Sequence, residues 1–259
     1  MQKRPSQRRK SRCATSALAL LAWGSCLLFA LSTARAEEVS CPNEAPAFER
    51  NGPFVAFPKV RVGGPNDILA IGSSSTEGIG ASSPANSYPA RLEAELEKQT
   101  GADFDVKNAG VGGELAAKTL VRLKNALKSG WARLVIWQVG TNDALGGVDE
   151  ALFRGTVQAG IAAARAAGVP MMLIGPQFTL KSPDPVRYER FVKMIDEIGA
   201  VDHVPVLSRY AFMKSWRAKG AKAVGLLLSG DGLHMSDLGY RCLAHALAEA
   251  IEGGAEAKL

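Results

Sequence analysis

Short apolar runs recur along the chain after residue 66: DILAIG at 67–72, FDVKN at 104–108, RLVIWQVG at 133–140, PMMLIG at 170–175 and VPVL at 204–207. Runs this short without sustained polar alternation suit strands buried on both faces, as in a parallel sheet. Between them the apolar spacing changes to that of a helix. Ala116, Leu120, Leu123 and Leu127 recur at i, i+4, i+7 and i+11 and define one helical face. The stretch SYPARLEAELEKQ opens with Ser87 as N-cap and Pro89 in the first turn. The same spacing predicts helices over about 149–167, 185–199, 209–219 and 236–252. Fivefold alternation of strand and helix predicts one three-layer α/β/α domain at 67–252, built on a five-stranded parallel sheet. Residues 37–66 are rich in Pro and Gly, lack periodicity and are expected to wrap the surface; 253–259 reads as a C-terminal tail.

The first 36 residues follow a different pattern. A basic head, MQKRPSQRRKSR, precedes an apolar run from Ala14 to Leu31, and Ala34-Arg35-Ala36 then meets Glu37-Glu38. Head, apolar segment and small-residue site are the three parts of a secretory signal, so 1–36 is expected to be removed and the mature chain to be periplasmic or secreted. The alternative is a retained anchor helix, since the run is about long enough to span a bilayer. Ser16, Gly24, Ser25 and the small-residue site favour cleavage, after which no stable membrane insertion is expected.

This segment changes the meaning of the charge. The net charge of +6 over 259 residues would suggest a nucleic-acid or anionic-membrane partner. Seven of the bases lie in residues 1–36 with no acid, and the remainder carries 24 bases against 25 acids. A nucleic-acid partner is therefore not expected. At 47% apolar residues the chain is too hydrophobic for disorder. Cleavage would leave two of the four cysteines, Cys41 and Cys242, in a compartment that permits disulfides. They form either a bridge from the leading segment to the last helix or two unpaired thiols.

In an open parallel sheet the working site lies beyond the carboxyl ends of the strands. The loops there read GSSSTEGIGAS, NAGVGGE, GTNDALGG and GPQFTLKSPDP, with SGDGLHMSDLGY before the last helix. Of three histidines, His203 precedes the fifth strand at the opposite edge, and His245 sits within the last helix between Ala244 and Ala246. His234 follows Asp231 by three residues in a loop, where a carboxylate can hold one ring nitrogen and leave the other as a base. GSSST offers a hydroxyl nucleophile, Gly113 a backbone N–H and Asn142 a side-chain amide. Each has a bland counterpart: a glycine-rich turn or phosphate cradle, a tight loop, an N-cap at Asn142-Asp143. Together they place complementary catalytic groups at one sheet edge.

These blocks resemble the SGNH, or GDSL-type, hydrolases over roughly residues 67 to 252. ILAIGSSSTEGIGA is similar to the first block, with Ser74 in the register of the nucleophile and Ser73 where the family commonly has aspartate. NAGVGGE is similar to the second, VGTND to the third and DGLH to the last. The resemblance implies a flavodoxin-like fold and a Ser74–His234–Asp231 triad. It also implies an oxyanion hole from the N–H groups of Ser74 and Gly113 and the Asn142 amide. The implied activity is ester hydrolysis without metal or organic cofactor, on a small ester or acylated glycan, with a short-chain or O-acetyl group favoured. An exported O-acyltransferase or glycan-binding relative would keep the same blocks. A flavodoxin-like binder using SSSTEG to cradle a phosphate would leave Asp231, His234 and Asn142 without a role. Phe178, Thr179, Leu180 and Leu226-Leu227-Leu228 are candidate pocket walls, with core packing favoured for the leucine run.

Overall fold

The computed structural model describes residues 66–218 and 225–256, with positions 41, 48, 49, 60, 61 and 64 before them. The signal segment expected at 1–36 and most of the segment at 37–66 lie outside the described residues. A two-residue strand, β1 (Phe48–Glu49), is followed by five parallel strands: β2 (Asn66–Gly72), β3 (Phe104–Gly110), β4 (Leu134–Gln138), β5 (Met171–Ile174) and β6 (Val206–Leu207). The parallel strands lie in the order β3-β2-β4-β5-β6. The chain therefore steps outward from β2 to β3 and returns past β2 to β4. That reversal opens a crevice at the carboxyl ends of β2 and β4, where open α/β sheets bind ligands.

Short helices α1 (Ser74–Glu77) and α4 (Thr141–Leu145) stand at those two strand ends. Helices α2 (Tyr88–Thr100), α7 (Arg209–Ala218) and α8 (Asp237–Glu256) cover one face of the sheet. The other face carries α3 (Ala116–Leu127), α5 (Glu150–Ala166) and α6 (Pro185–Asp202). The strand period of two divides the apolar runs between the faces. Ile68, Ala70, Leu134, Ile136, Met172 and Ile174 pack toward the first group of helices. Leu69, Ile71, Val135, Trp137, Met171 and Leu173 pack toward the second. Each large side chain so buried contributes about 1.5–3 kcal/mol, which explains why no polar position interrupts these strands. Trp137 closes on α5 because Gly160 has no side chain: a Cβ there would lie 2.1 Å from the indole ring.

Three local features differ from expectation. β1 pairs antiparallel with β6, so the segment before the domain adds an edge strand, too short to leave an apolar alternation. Ser87 occupies the N-cap position of α2, but its hydroxyl donates to Pro84 O at 2.7 Å and caps nothing. The last helix runs to Glu256, into the stretch read as a tail. Cys41 and Cys242 form a disulfide, with Cα atoms 5.4 Å apart, that fastens the leading segment to α8.

Candidate active site

β2 ends at Gly72, and α1 begins two residues later. The turn is tight because α1 lies against the end of β3, where a Cβ on Gly110 would come within 2.0 Å of Glu77 N. This turn gives the three serines different surroundings. Ser73 is buried, and both its N–H and its hydroxyl donate to Gln138 Oε1 at 3.0 Å. Ser75 is buried and donates to Gln177 Oε1 at 3.2 Å. Ser74 alone of the three is half-exposed, with its Oγ 2.9 Å from His234 Nε2.

The loop carrying His234 is braced on both sides. Leu228 and Met235 form an antiparallel bridge, and Ser229 N–H donates to His234 O at 2.8 Å. Within it, Asp231 Oδ2 lies 2.6 Å from His234 Nδ1. Its Oδ1 accepts from Leu233 N, His234 N and the Ser229 hydroxyl at 2.8–2.9 Å. Burial raises the Asp231 pKa, but the His234 ring and those three donors outweigh it and hold the carboxyl well below the usual carboxylate range. An ionised Asp231 assigns the imidazole proton to Nδ1 and leaves Nε2 to accept from the Ser74 hydroxyl.

Gly113 follows β3 in a left-handed conformation (φ +75°) that glycine adopts without strain. Its neighbour Gly112 adjoins the turn that carries Ser74: a Cβ there would stand 4.0 Å from Ser74 Cβ. Asn142, in the first turn of α4, donates one amide hydrogen to Glu114 O at 2.9 Å. Arg122 ties this corner together, donating to the Glu114 carboxylate at 2.6 Å, Ala109 O at 2.8 Å and Gly72 O at 3.2 Å. Asp143 is buried and accepts from Ala116 N, the first N–H of α3, at 2.9 Å. Burial raises its pKa.

Of the five expected site residues, Ser74, His234 and Asp231 make direct contact, and Asn142 and Gly113 stand on the segments that follow the adjoining strands, while His203 and His245 stand apart. His203 ends α6 in a left-handed conformation, and His245 pairs with Glu95 and Glu249. Phe178 and Leu227 are core residues, whereas Leu180 is 67% exposed. Sequence reasoning missed Gln138, Gln177 and Arg209. The signal for Gln138 was a lone amide ending an otherwise apolar strand. Among the described residues no group of three or more His, Cys, Asp or Glu side chains is placed to hold a metal ion.

The Non-GDSL lipase-like family matches residues 41–257, nearly the whole described domain. The chain belongs to that family. It is an ester hydrolase of the SGNH, or GDSL, type. Esterase TesA of Pseudomonas aeruginosa is 25% identical over 167 residues, covering 64% of this chain and 78% of that protein. A crystal structure of TesA superposes with a TM-score of 0.62 at 22% identity, covering 73% of this chain and 99% of that one. An acetyl xylan esterase, AlAXEase, superposes with a TM-score of 0.61 at 17% identity, covering 71% of this chain and 99% of that one. These last two likenesses concern the fold.

Proposed function

We propose that this esterase works through a Ser74–His234–Asp231 triad and an acyl-enzyme. The observation that carries the reading is the continuous chain from Ser74 Oγ to His234 Nε2 at 2.9 Å and from His234 Nδ1 to Asp231 at 2.6 Å. His234 takes the Ser74 proton as Oγ attacks the ester carbonyl. The tetrahedral oxyanion is held by the N–H groups of Ser74 and Gly113 and by the second amide hydrogen of Asn142. Collapse expels the alcohol, which takes the proton from His234. Water, deprotonated by the same imidazole, then releases the acid and restores the serine. Asp231 orients the ring and stabilises its transient cation without itself taking the proton.

The substrate in this reading is a short-chain ester, with an O-acetyl group on a glycan favoured. The exposed rim around Ser74, formed by Ile79, Gly80 and Val111 to Gly113, suits an acyl group presented on a large acceptor. The fold shared with an acetyl xylan esterase supports the same choice. We also propose export, supported by the basic and apolar head with its small-residue site and by the Cys41–Cys242 disulfide.

The test is turnover of p-nitrophenyl acetate, butyrate and octanoate by the purified protein beside Ser74→Ala. Turnover that falls with chain length and is lost in Ser74→Ala is the expected result. Activity surviving in Ser74→Ala would overturn the assignment of the nucleophile. Supplying a glycan acceptor and recovering acylated glycan in place of free acid would overturn simple hydrolysis.

A further inference from the structure

Arg209 is a buried cation without a buried anion. Its side chain at the start of α7 is completely inaccessible, and no carboxylate among the described residues pairs with it. Burying a charge among neutral partners is unfavourable, and an apolar side chain of similar volume would avoid that cost. What the guanidinium gains is a set of neutral acceptors. Nε donates to Gly175 O at 2.8 Å, while the terminal nitrogens donate to Gln177 Oε1 and Thr141 Oγ1, each at 3.4 Å. Burial lowers its pKa, and the surrounding phenols of Tyr188, Tyr240 and Tyr88 oppose that effect.

The two side-chain acceptors lie one step from the proposed machinery. Thr141 directly precedes Asn142. Gln177 Oε1 also accepts from the hydroxyl of Ser75, the residue after Ser74, at 3.2 Å. Its Nε2 donates to the carbonyl of Leu233, the residue before His234. These donors and acceptors fix the amide in one orientation, since reversing it would set NH₂ against Arg209. The Gln177 backbone is held as well, its carbonyl accepting from Tyr188 OH at 2.7 Å. Burial pushes that phenol up to about 12, so it remains a donor at neutral pH.

We propose that Arg209, acting through Gln177 and Thr141, is a positioning residue that fixes the nucleophile turn, the Asn142 donor and the His234 loop relative to one another. The three groups come from the turn after β2, the turn after β4 and the loop before α8, and covalent structure alone does not set their separation. Arg209 touches none of the reacting atoms; it fixes the residues beside them. This inference rests on the triad reading above.

The test compares Arg209→Met, Arg209→Lys, Gln177→Met and Thr141→Val with the unmodified protein on p-nitrophenyl acetate. Misplacing catalytic groups from a distance costs up to about 10²-fold, so kcat is expected to fall about 10²-fold in Arg209→Met and Gln177→Met and about tenfold in Thr141→Val. KM should stay within about threefold of the parent, as for an interaction expressed only in the transition state. Arg209→Lys, which keeps the charge and one donor direction, should recover part of the lost kcat. A lower melting temperature with kcat unchanged, in variants with a native circular dichroism spectrum, would overturn the inference and leave a packing role. If the two methionine variants do not fold, Thr141→Val decides, because it exchanges one hydroxyl for a methyl at nearly constant volume. Failure of the unmodified protein to show Ser74-dependent turnover would instead remove the triad reading, and this inference with it.

Discussion

Asn142 and Glu114 meet through the Asn142 amide, which donates to the Glu114 backbone carbonyl at 2.9 Å. One amide hydrogen is thereby spent on holding the side chain, and in the proposed mechanism the other serves the developing oxyanion. The carboxylate of the same Glu114 is held by Arg122, which reaches back to the ends of β2 and β3. The loop that carries Gly113 and the helix that carries Asn142 are in this way fastened to β2, the strand that leads into the turn with Ser74.

Removing one oxyanion donor costs about 10²–10³ in turnover where such donors have been tested. Asn142→Ala is expected to lose that much kcat on p-nitrophenyl acetate while the protein stays folded. Asn142→Asp should lose more, because an anion would replace a donor at the oxyanion. Equal activity in Asn142→Ala and the parent would exclude the amide from the hole.

Asp231→Asn keeps the shape of the loop but reverses the polarity of the bond to His234. The imidazole would then carry its proton on Nε2 and could not accept from Ser74, a defect of about 10⁴-fold in a serine triad. Steady-state kinetics at neutral pH would register it. A loss of less than about tenfold would mean that Asp231 does not set the tautomer.

The depressed pKa of Asp231 also ties stability to pH. The folded carboxyl titrates below its unfolded value, so the unfolded chain binds the proton first as the pH falls. The contribution is complete above the unfolded carboxylate pKa of about 3.9 and is lost as the pH drops through the folded value. Urea midpoints measured from about pH 6 to about pH 2 should fall more steeply in the parent than in Asp231→Asn. Parallel curves would mean that the carboxyl is not held by its three donors and the ring. The side chain is 45% exposed, so solvent screens the effect and it should be small beside that of the core.

The Cys41–Cys242 bridge closes a loop of 201 residues. The chain-entropy treatment gives such a crosslink about 4–5 kcal/mol through restriction of the unfolded chain. Cys41→Ser, which leaves the buried Cys242 in place, should lower unfolding free energy by up to that amount. Alkylation without reductant should leave both residues unmodified in the parent. Modification of Cys41 under those conditions would contradict the bridge.

Gly160→Ala sets two effects against each other. Alanine favours the helix by about 1 kcal/mol over glycine. Its Cβ, however, would stand 2.1 Å from the Trp137 ring, in a face of the sheet that is fully packed. Overpacking costs about 1–3 kcal/mol, so the net change should be destabilising. A raised melting temperature would show that the indole has room to move.

Much of the fold was legible in the chain because it is local or periodic. Apolar runs without alternation marked β2, β4, β5 and β6, since a strand covered on both faces admits few polar positions. At the sheet edge, β3 instead alternates Asp105, Lys107 and Asn108 with apolar residues and buries only Val106 fully. The i, i+4, i+7 spacing from Ala116 to Leu127 marked α3 for the converse reason. The three-residue spacing of Asp231 and His234 made their pairing readable, because a tight loop brings such neighbours together without tertiary help. The family resemblance already placed Ser74 in the nucleophile register, but the physical difference between Ser74 and its neighbours Ser73 and Ser75 is tertiary. The flanking hydroxyls are drawn inward by Gln138 from the end of β4 and Gln177 from the loop after β5, residues far from them in the chain. Arg209 was invisible for the same reason. In the sequence it is a cation opening an amphipathic helix, which reads as a solvated position, and only the packing of α7 under the crevice buries it among Gly175, Gln177 and Thr141. Periodicity reports which face of an element turns inward; which polar groups meet there depends on the order in which the sheet assembles its strands.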